Sequence, residues 1–191
     1  SRLNPPLLGC GRAARHYAKT MRQNGFTLFE LLVALGIAAL LVTVGVPSMR
    51  GMIMDNRIIS EANHFVATIN AARSSAVRYQ RPAIVCSTAN YSAAVPTCSG
   101  STDWSNGWMV WVDKDLDAAT TADEVIVVSP PVSGTVSMTS GSANRFSYDS
   151  RGFGTAAADT ISFCDDRSGE TGRVIRVNAA GRVHIDAQGC S

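Results

Sequence analysis

Histidine is scarce, with three in 191 residues (His16, His64 and His184), and neither a nucleophile motif nor a Gly-rich phosphate loop accompanies any of them. That sparseness argues against an enzyme, and the sequence assigns no catalytic residue and no cofactor. No repeat of fixed period is visible, which leaves out a solenoid or a propeller. A second full core would be cramped at this length, so one domain with an appendage is expected. Acidic side chains are missing from residues 1–25, where five of the 17 basic ones lie (Arg2, Arg12, Arg15, Lys19 and Arg22), leaving 12 basic against all 15 acidic residues from Phe26 onward. The formal charge of +2 therefore pools two unlike regions. A mildly acidic remainder gives bulk charge no role in nucleic-acid binding, which would need a local patch.

What is present begins with an apolar run, Phe26 to Val46, whose one strongly polar member is Glu30. At 1.5 Å per helical residue it is long enough to cross a hydrocarbon core of about 30 Å. The basic cluster ahead of it has no counterpart directly after it, so residues 1–25 are expected to stay cytoplasmic and the C-terminal bulk to be exported. No A-x-A-like site follows the run, so the apolar segment is expected to stay on the protein. Pro47 then interrupts the helix and favours a kink. Beyond it Ile58, Ala62, Phe65, Ile69, Ala72, Ala76 and Tyr79 recur at spacings of four and three, one apolar stripe on an amphipathic helix that Pro82 ends.

Past Pro82 the pattern changes to short runs of Val, Ile and aromatics separated by Gly, Ser, Asn and Asp. Strands are predicted at 83–88, 107–113, 124–129, 135–139, 144–149, 160–164, 173–178 and 181–186, with Asn178–Gly181 as a hairpin turn. The expected fold class is α+β: a long N-terminal helix, membrane-spanning in its first half and amphipathic in its second, packed on antiparallel sheets. Its parts are a leader (1–25), an apolar helix (26–46), an amphipathic half (47–80) and a β-rich periplasmic domain (81–191). Of five cysteines only Cys10 lies in the leader. The other four, Cys86, Cys98, Cys164 and Cys190, read as two disulfides in an oxidising compartment; three pairings exist, and separation favours Cys86 with Cys98 and Cys164 with Cys190.

A carboxylate inside a membrane helix costs about 2.5–3.5 kcal/mol, so Glu30 needs a partner or a function. Cleavage after Gly25 would expose a positive amine on Phe26, one helical turn from that carboxylate, and pairing between chains would build a filament. Gly25-Phe26-Thr27-Leu28-Phe29-Glu30 with its apolar helix resembles the leader signal of type IV prepilins and type II secretion pseudopilins. The resemblance implies that a prepilin peptidase cuts between Gly25 and Phe26 and methylates the Phe26 amine, and that Glu30 pairs with a neighbouring subunit. Met21–Gly25 would make a leader of the family's short kind, and residues 1–20 then read as sequence ahead of the true start. Ala71-Ala72-Arg73-Ser74-Ser75-Ala76-Val77, Gly107-Trp108-Met109-Val110-Trp111-Val112-Asp113 and Gly181-Arg182-Val183 are similar to the GspH/FimT branch of minor pilins and pseudopilins. The function this implies is a minor type IV pilin, of the FimT- and FimU-like kind, acting in pilus initiation or at its tip. A GspH-type pseudopilin of type II secretion and a DNA-binding pilin of natural transformation are the alternatives. Implied partners are the peptidase, other pilins in a filament, the bacterial inner membrane and, on the last reading, DNA.

Three further features carry weaker chemistry. Gly181-Arg182-Val183-His184 resembles the Gly-Arg-x-Arg element through which some FimT-like pilins bind DNA, so Arg173, Arg176, Arg182 and His184 are the candidate contacts. A neutral histidine in the last place weakens the charge, and a solvated strand face accounts for the same alternation. Asp113, Asp115, Asp117 and Glu124 have the spacing of a calcium loop at its positions one, three, five and twelve. Ala118 stands where that loop needs glycine and the flanks read as strands, so a metal-free acidic hairpin is expected. Trp104, Trp108 and Trp111 read as core and loop packing, with Trp108 and Val110 on one strand face and Met109 and Trp111 on the other.

Overall fold

A computed structural model describes residues 25–167 and 171–190. The leader ahead of Gly25, Cys10 included, lies outside the described residues. Among the described residues one helix, α1 (Leu28–Tyr79), is followed by eight strands: β1 (Ala83–Ser87), β2 (Trp108–Val112), β3 (Val125–Ser129), β4 (Ser137–Ser140), β5 (Arg145–Tyr148), β6 (Asp159–Cys164), β7 (Thr171–Val177) and β8 (Val183–Gly189). Two compact units divide at Val44 and Gly45. Pro47 does not interrupt α1 as the sequence suggested; helical structure continues through it. A proline removes one backbone donor and crowds the preceding turn, a local penalty of about 3 kcal/mol that hydrogen bonds on either side can outlast.

In the first unit the helix is long and apolar enough to cross a membrane. Its large side chains stand exposed, among them Leu32, Leu35, Leu40 and Leu41. A soluble fold does not leave such a surface in water, so this stretch calls for lipid or for neighbouring helices.

In the second unit the strands form two antiparallel sheets, ordered β3-β2-β1-β5 and β4-β6-β7-β8. Ile58, Ala62, Phe65, Ile69, Ala72 and Ala76 of α1 are all buried in the main core. Tyr79, the expected last member of that stripe, is exposed instead. Its ring lies 5.5 Å from the Arg78 guanidinium carbon and 5.3 Å from Lys114 Nζ, a favourable place for a cation. Phe65 is the hub: its ring meets Trp104 at 5.6 Å and Trp108 at 5.7 Å edge-on, and Phe146 and Phe163 close the group. Such pairs add about 0.5–1.5 kcal/mol each beyond the area they bury.

β1 and β2 are buried on both faces. Trp108, Val110 and Val112 face the main core, while Met109 and Trp111 join Ile84 and Cys86 in a smaller cluster on the other side. The tryptophans thus divide between the strand faces as alternation requires. Cys86 is bonded to Cys98, which brings the Ser- and Thr-rich loop onto this second face. Cys164 is bonded to Cys190. Both pairings are those favoured by sequence separation.

Candidate assembly and binding sites

Thr27 starts α1. Its carbonyl accepts the Leu31 amide at 3.1 Å, and its hydroxyl accepts the Glu30 amide at 3.2 Å. Thr27-Leu28-Phe29-Glu30 is therefore an N-cap followed at N3 by glutamate, a pattern legible in the sequence but overlooked beside the leader signal. Glu30 sits in the first turn, where the helix dipole favours negative charge. Phe26 is exposed, and among the described residues nothing approaches within 4 Å of a side chain placed at Gly25. The arrangement puts the only carboxylate of the apolar segment at the helix end that lies beside the Gly25-Phe26 junction.

The four C-terminal candidates are divided by the register of the last hairpin. Arg176 is opposite His184 and Val174 is opposite Asp186, so Arg176, His184 and Asp186 share one face while Arg173 belongs to the other. Asp186 accepts Arg176 Nε at 2.9 Å and lies 3.0 Å from His184 Nε2. The Arg176 guanidinium, with His184 beside it, holds the Asp186 carboxyl below its ordinary value although partial burial opposes this. Arg173 donates to the Gly172 carbonyl at 3.2 Å. Arg182 is exposed in the turn, where Asn178 Oδ1 accepts the amides of Ala180 and Arg182. The turn closes with the Gly181 amide donating to the Asn178 carbonyl at 2.8 Å, as its sequence suggested. Gly181 has a φ of 75°, and the Tyr148 ring occupies the space a side chain there would need. Asp186, one of several acidic residues close by in the sequence, engages two of the four supposed phosphate contacts.

The acidic loop joins β2 to β3. One carboxylate oxygen from each of Asp113, Asp115 and Asp117 lies within 4.8 Å of the others. Glu124 does not belong to this group. It is 1% exposed, with Oε1 accepting the Lys114 amide at 2.7 Å and Oε2 accepting the Thr121 amide at 3.0 Å and hydroxyl at 2.8 Å. Burial pushes the Glu124 carboxyl up, but the Thr121 hydroxyl and the two amides outweigh it and hold it low. Glu124 thereby closes the loop as an ionised hydrogen-bond acceptor. Asp115 is pushed up, chiefly by desolvation and, against the Asp117 amide, by the charges of Asp117 and Glu124.

An exposed apolar N-terminal helix, a capped start beside a Gly-Phe junction, and a helical half packed on two antiparallel sheets define a pilin-like subunit. A sequence model of the prokaryotic N-terminal methylation motif matches residues 20–46, and that of the family described as Type II transport protein GspH matches residues 61–181. The chain belongs to the GspH family. Among solved structures it is similar to the type IV minor pilin FimU of Pseudomonas aeruginosa, in two crystal forms. The first is 17% identical with a TM-score of 0.55, covering 71% of this chain and 94% of that one. The second, also 17% identical, has a TM-score of 0.51 and covers 69% of this chain and 96% of that one. No curated protein sequence matches the chain.

Proposed function

We propose that the protein is a minor type IV pilin, a low-copy structural subunit held in the bacterial inner membrane with its β-rich part in the periplasm and drawn into a filament by α1. A prepilin peptidase removes the sequence through Gly25 and methylates the Phe26 amine. Glu30 then offers its carboxylate to the N-terminus of a neighbouring subunit. The observation that carries this reading is the matched methylation motif, residues 20–46, running into the exposed apolar first part of α1, which has Glu30 in its first turn. An unpaired carboxylate in lipid is costly, and a cationic terminus from an adjacent chain relieves it.

The test is to express the full chain with a prepilin peptidase and read the mature terminus by mass spectrometry. A Phe26 terminus carrying one added methyl group is expected; an uncut chain, or a cut elsewhere, would sink the processing step. A second reading, a minor pseudopilin of type II secretion, is favoured by the description of the family itself. Deletion separates the two. Lost piliation with normal exoprotein release supports the pilus, and the reverse result supports secretion.

A further inference from the structure

We propose that the loop after β2 is a calcium site whose protein ligands are the carboxylates of Asp113, Asp115 and Asp117. This rests on the loop alone and stands apart from the choice between pilus and secretion. Asp113 is the anchor. It is 8% exposed, its amide donates to the Pro82 carbonyl at 3.0 Å, and its buried Oδ1 has no hydrogen-bond partner among the described residues. A buried carboxylate oxygen with no donor loses its hydration without replacement, and such groups are normally paired or bound to a metal. Asp115 and Asp117, both exposed, each bring one carboxylate oxygen within 4.8 Å of one from Asp113.

The neighbouring cation does not neutralise this group. Lys114 Nζ turns away to the Asp123 carboxylate at 3.3 Å and to the Asp123 carbonyl, over the Tyr79 ring. Among the described residues no lysine, arginine or histidine pairs with Asp113, Asp115 or Asp117. Three anionic oxygens within 4.8 Å of one another and no counter-charge are an arrangement that a hard cation completes. Calcium holds oxygen ligands at about 2.3–2.6 Å, so two ligands on opposite sides of one ion stand about 5 Å apart, a span the three carboxylates already satisfy. Magnesium requires a tighter octahedron and gives up water reluctantly, which fits an open three-carboxylate loop less well.

The sequence argued against metal on two grounds: the flanks read as strands, which they are, β2 and β3, and Ala118 replaces the glycine of the calcium-loop pattern. The structure removes the second objection only: Ala118 has a φ of 60° and Leu116 one of 67°, so the loop takes the left-handed turn without glycine. It also departs from the pattern, because Glu124 is committed to backbone amides and is not a ligand. Water would fill the remaining positions. With three carboxylates and two of them exposed, the affinity belongs with the weak sites of extracellular modules, a Kd of about 10⁻⁴–10⁻³ M.

The experiment is thermal unfolding of the full chain in detergent, with its disulfides intact, in chelator and then in calcium chloride up to ten times that Kd. Calcium is expected to raise the midpoint by about 2–6 °C, by binding the folded state alone. Magnesium at the same concentration is expected to give less than half that shift. The Asp115→Asn/Asp117→Asn double variant changes exposed residues only, should fold as wild type does, and is expected to lose the calcium shift. No shift in the folded wild type, an equal shift with magnesium, or an undiminished calcium shift in the double variant would each overturn the proposal.

Discussion

Trp108 Nε1 donates to the Thr68 hydroxyl at 3.1 Å, and both groups are buried between α1 and β2. Thr68 in turn donates to the His64 carbonyl at 3.0 Å, so the chain of bonds ties helix backbone to sheet side chain. Thr68→Val keeps the shape and removes the acceptor, leaving the indole N–H without a partner. The expected loss is about 1–3 kcal/mol, read from urea unfolding of the full chain in detergent. Val at 68 with Phe at 108 removes both polar groups, and double-mutant analysis should show the two changes to be coupled. Strictly additive losses would mean that the bond contributes nothing.

Much of this was legible in the sequence because it is local. The eight strands lie within three residues of their predicted bounds, since alternation and turn residues are read from neighbours along the chain. The stripe from Ile58 to Ala76 was legible for the same reason. Strand order was not, because β1 pairs with both β2 and β5, and the second partner lies far along the chain with no local signal joining it to β1. The capture of Arg176 by Asp186 depends on cross-strand register, which no residue spacing states, whereas His184 and Asp186 share a face by simple alternation along β8. Pro47 shows the converse limit: its local rule is sound, but the helix continues through it.

The two disulfides close loops of different length, with sequence separations of 12 and 26. In the chain-entropy account the longer loop contributes slightly more, each bond being worth about 2–4 kcal/mol. Cys190→Ser should also release the end of β8, whose neighbour β7 is otherwise its one partner in the sheet. Cys98→Ser should free the loop over Trp111 while leaving the main core in place. Thermal midpoints and proteolysis of the two variants check this. Early cleavage near β8 is expected in the first, and early cleavage within the loop before Trp104 in the second.

Acid should destabilise the second unit through particular carboxylates. The Arg167 guanidinium, 2.7 Å from Asp165, holds that carboxyl below its ordinary value of 3.8 despite its burial, and Arg167 also pairs with Asp55 of α1 at 2.7 Å. Burial pushes Asp159 up, but the amides of Ser142, Ala143 and Thr160 together bring it below the same value. A folded carboxyl depressed below its unfolded value stabilises fully above the unfolded pKa, and the gain disappears as pH falls through the folded one. The unfolding midpoint should therefore be flat above about pH 5 and fall below about pH 4. Asp165→Asn should lower the stability near neutral pH by about 1.5–3 kcal/mol, the loss of a charge-assisted bond, and make the fall of the midpoint with acid shallower. A variant with an unchanged acid limb would remove Asp165 from the account.

The last hairpin bears on DNA capture through its charge balance. Asp186 engages both Arg176 and His184, Arg173 faces the other way, and Arg182 stands in the turn as the remaining exposed candidate. One exposed arginine neutralises about one phosphate, which supports little affinity at physiological salt. The full chain in detergent should therefore retard duplex DNA weakly even at low salt, with little change in Arg182→Ala. Asp186→Asn removes the competing carboxylate, frees Arg176 and His184 on one face, and should strengthen retention and steepen its salt dependence. Retention by the wild type that survives moderate salt and disappears in Arg182→Ala would show instead that the turn is a dedicated DNA contact.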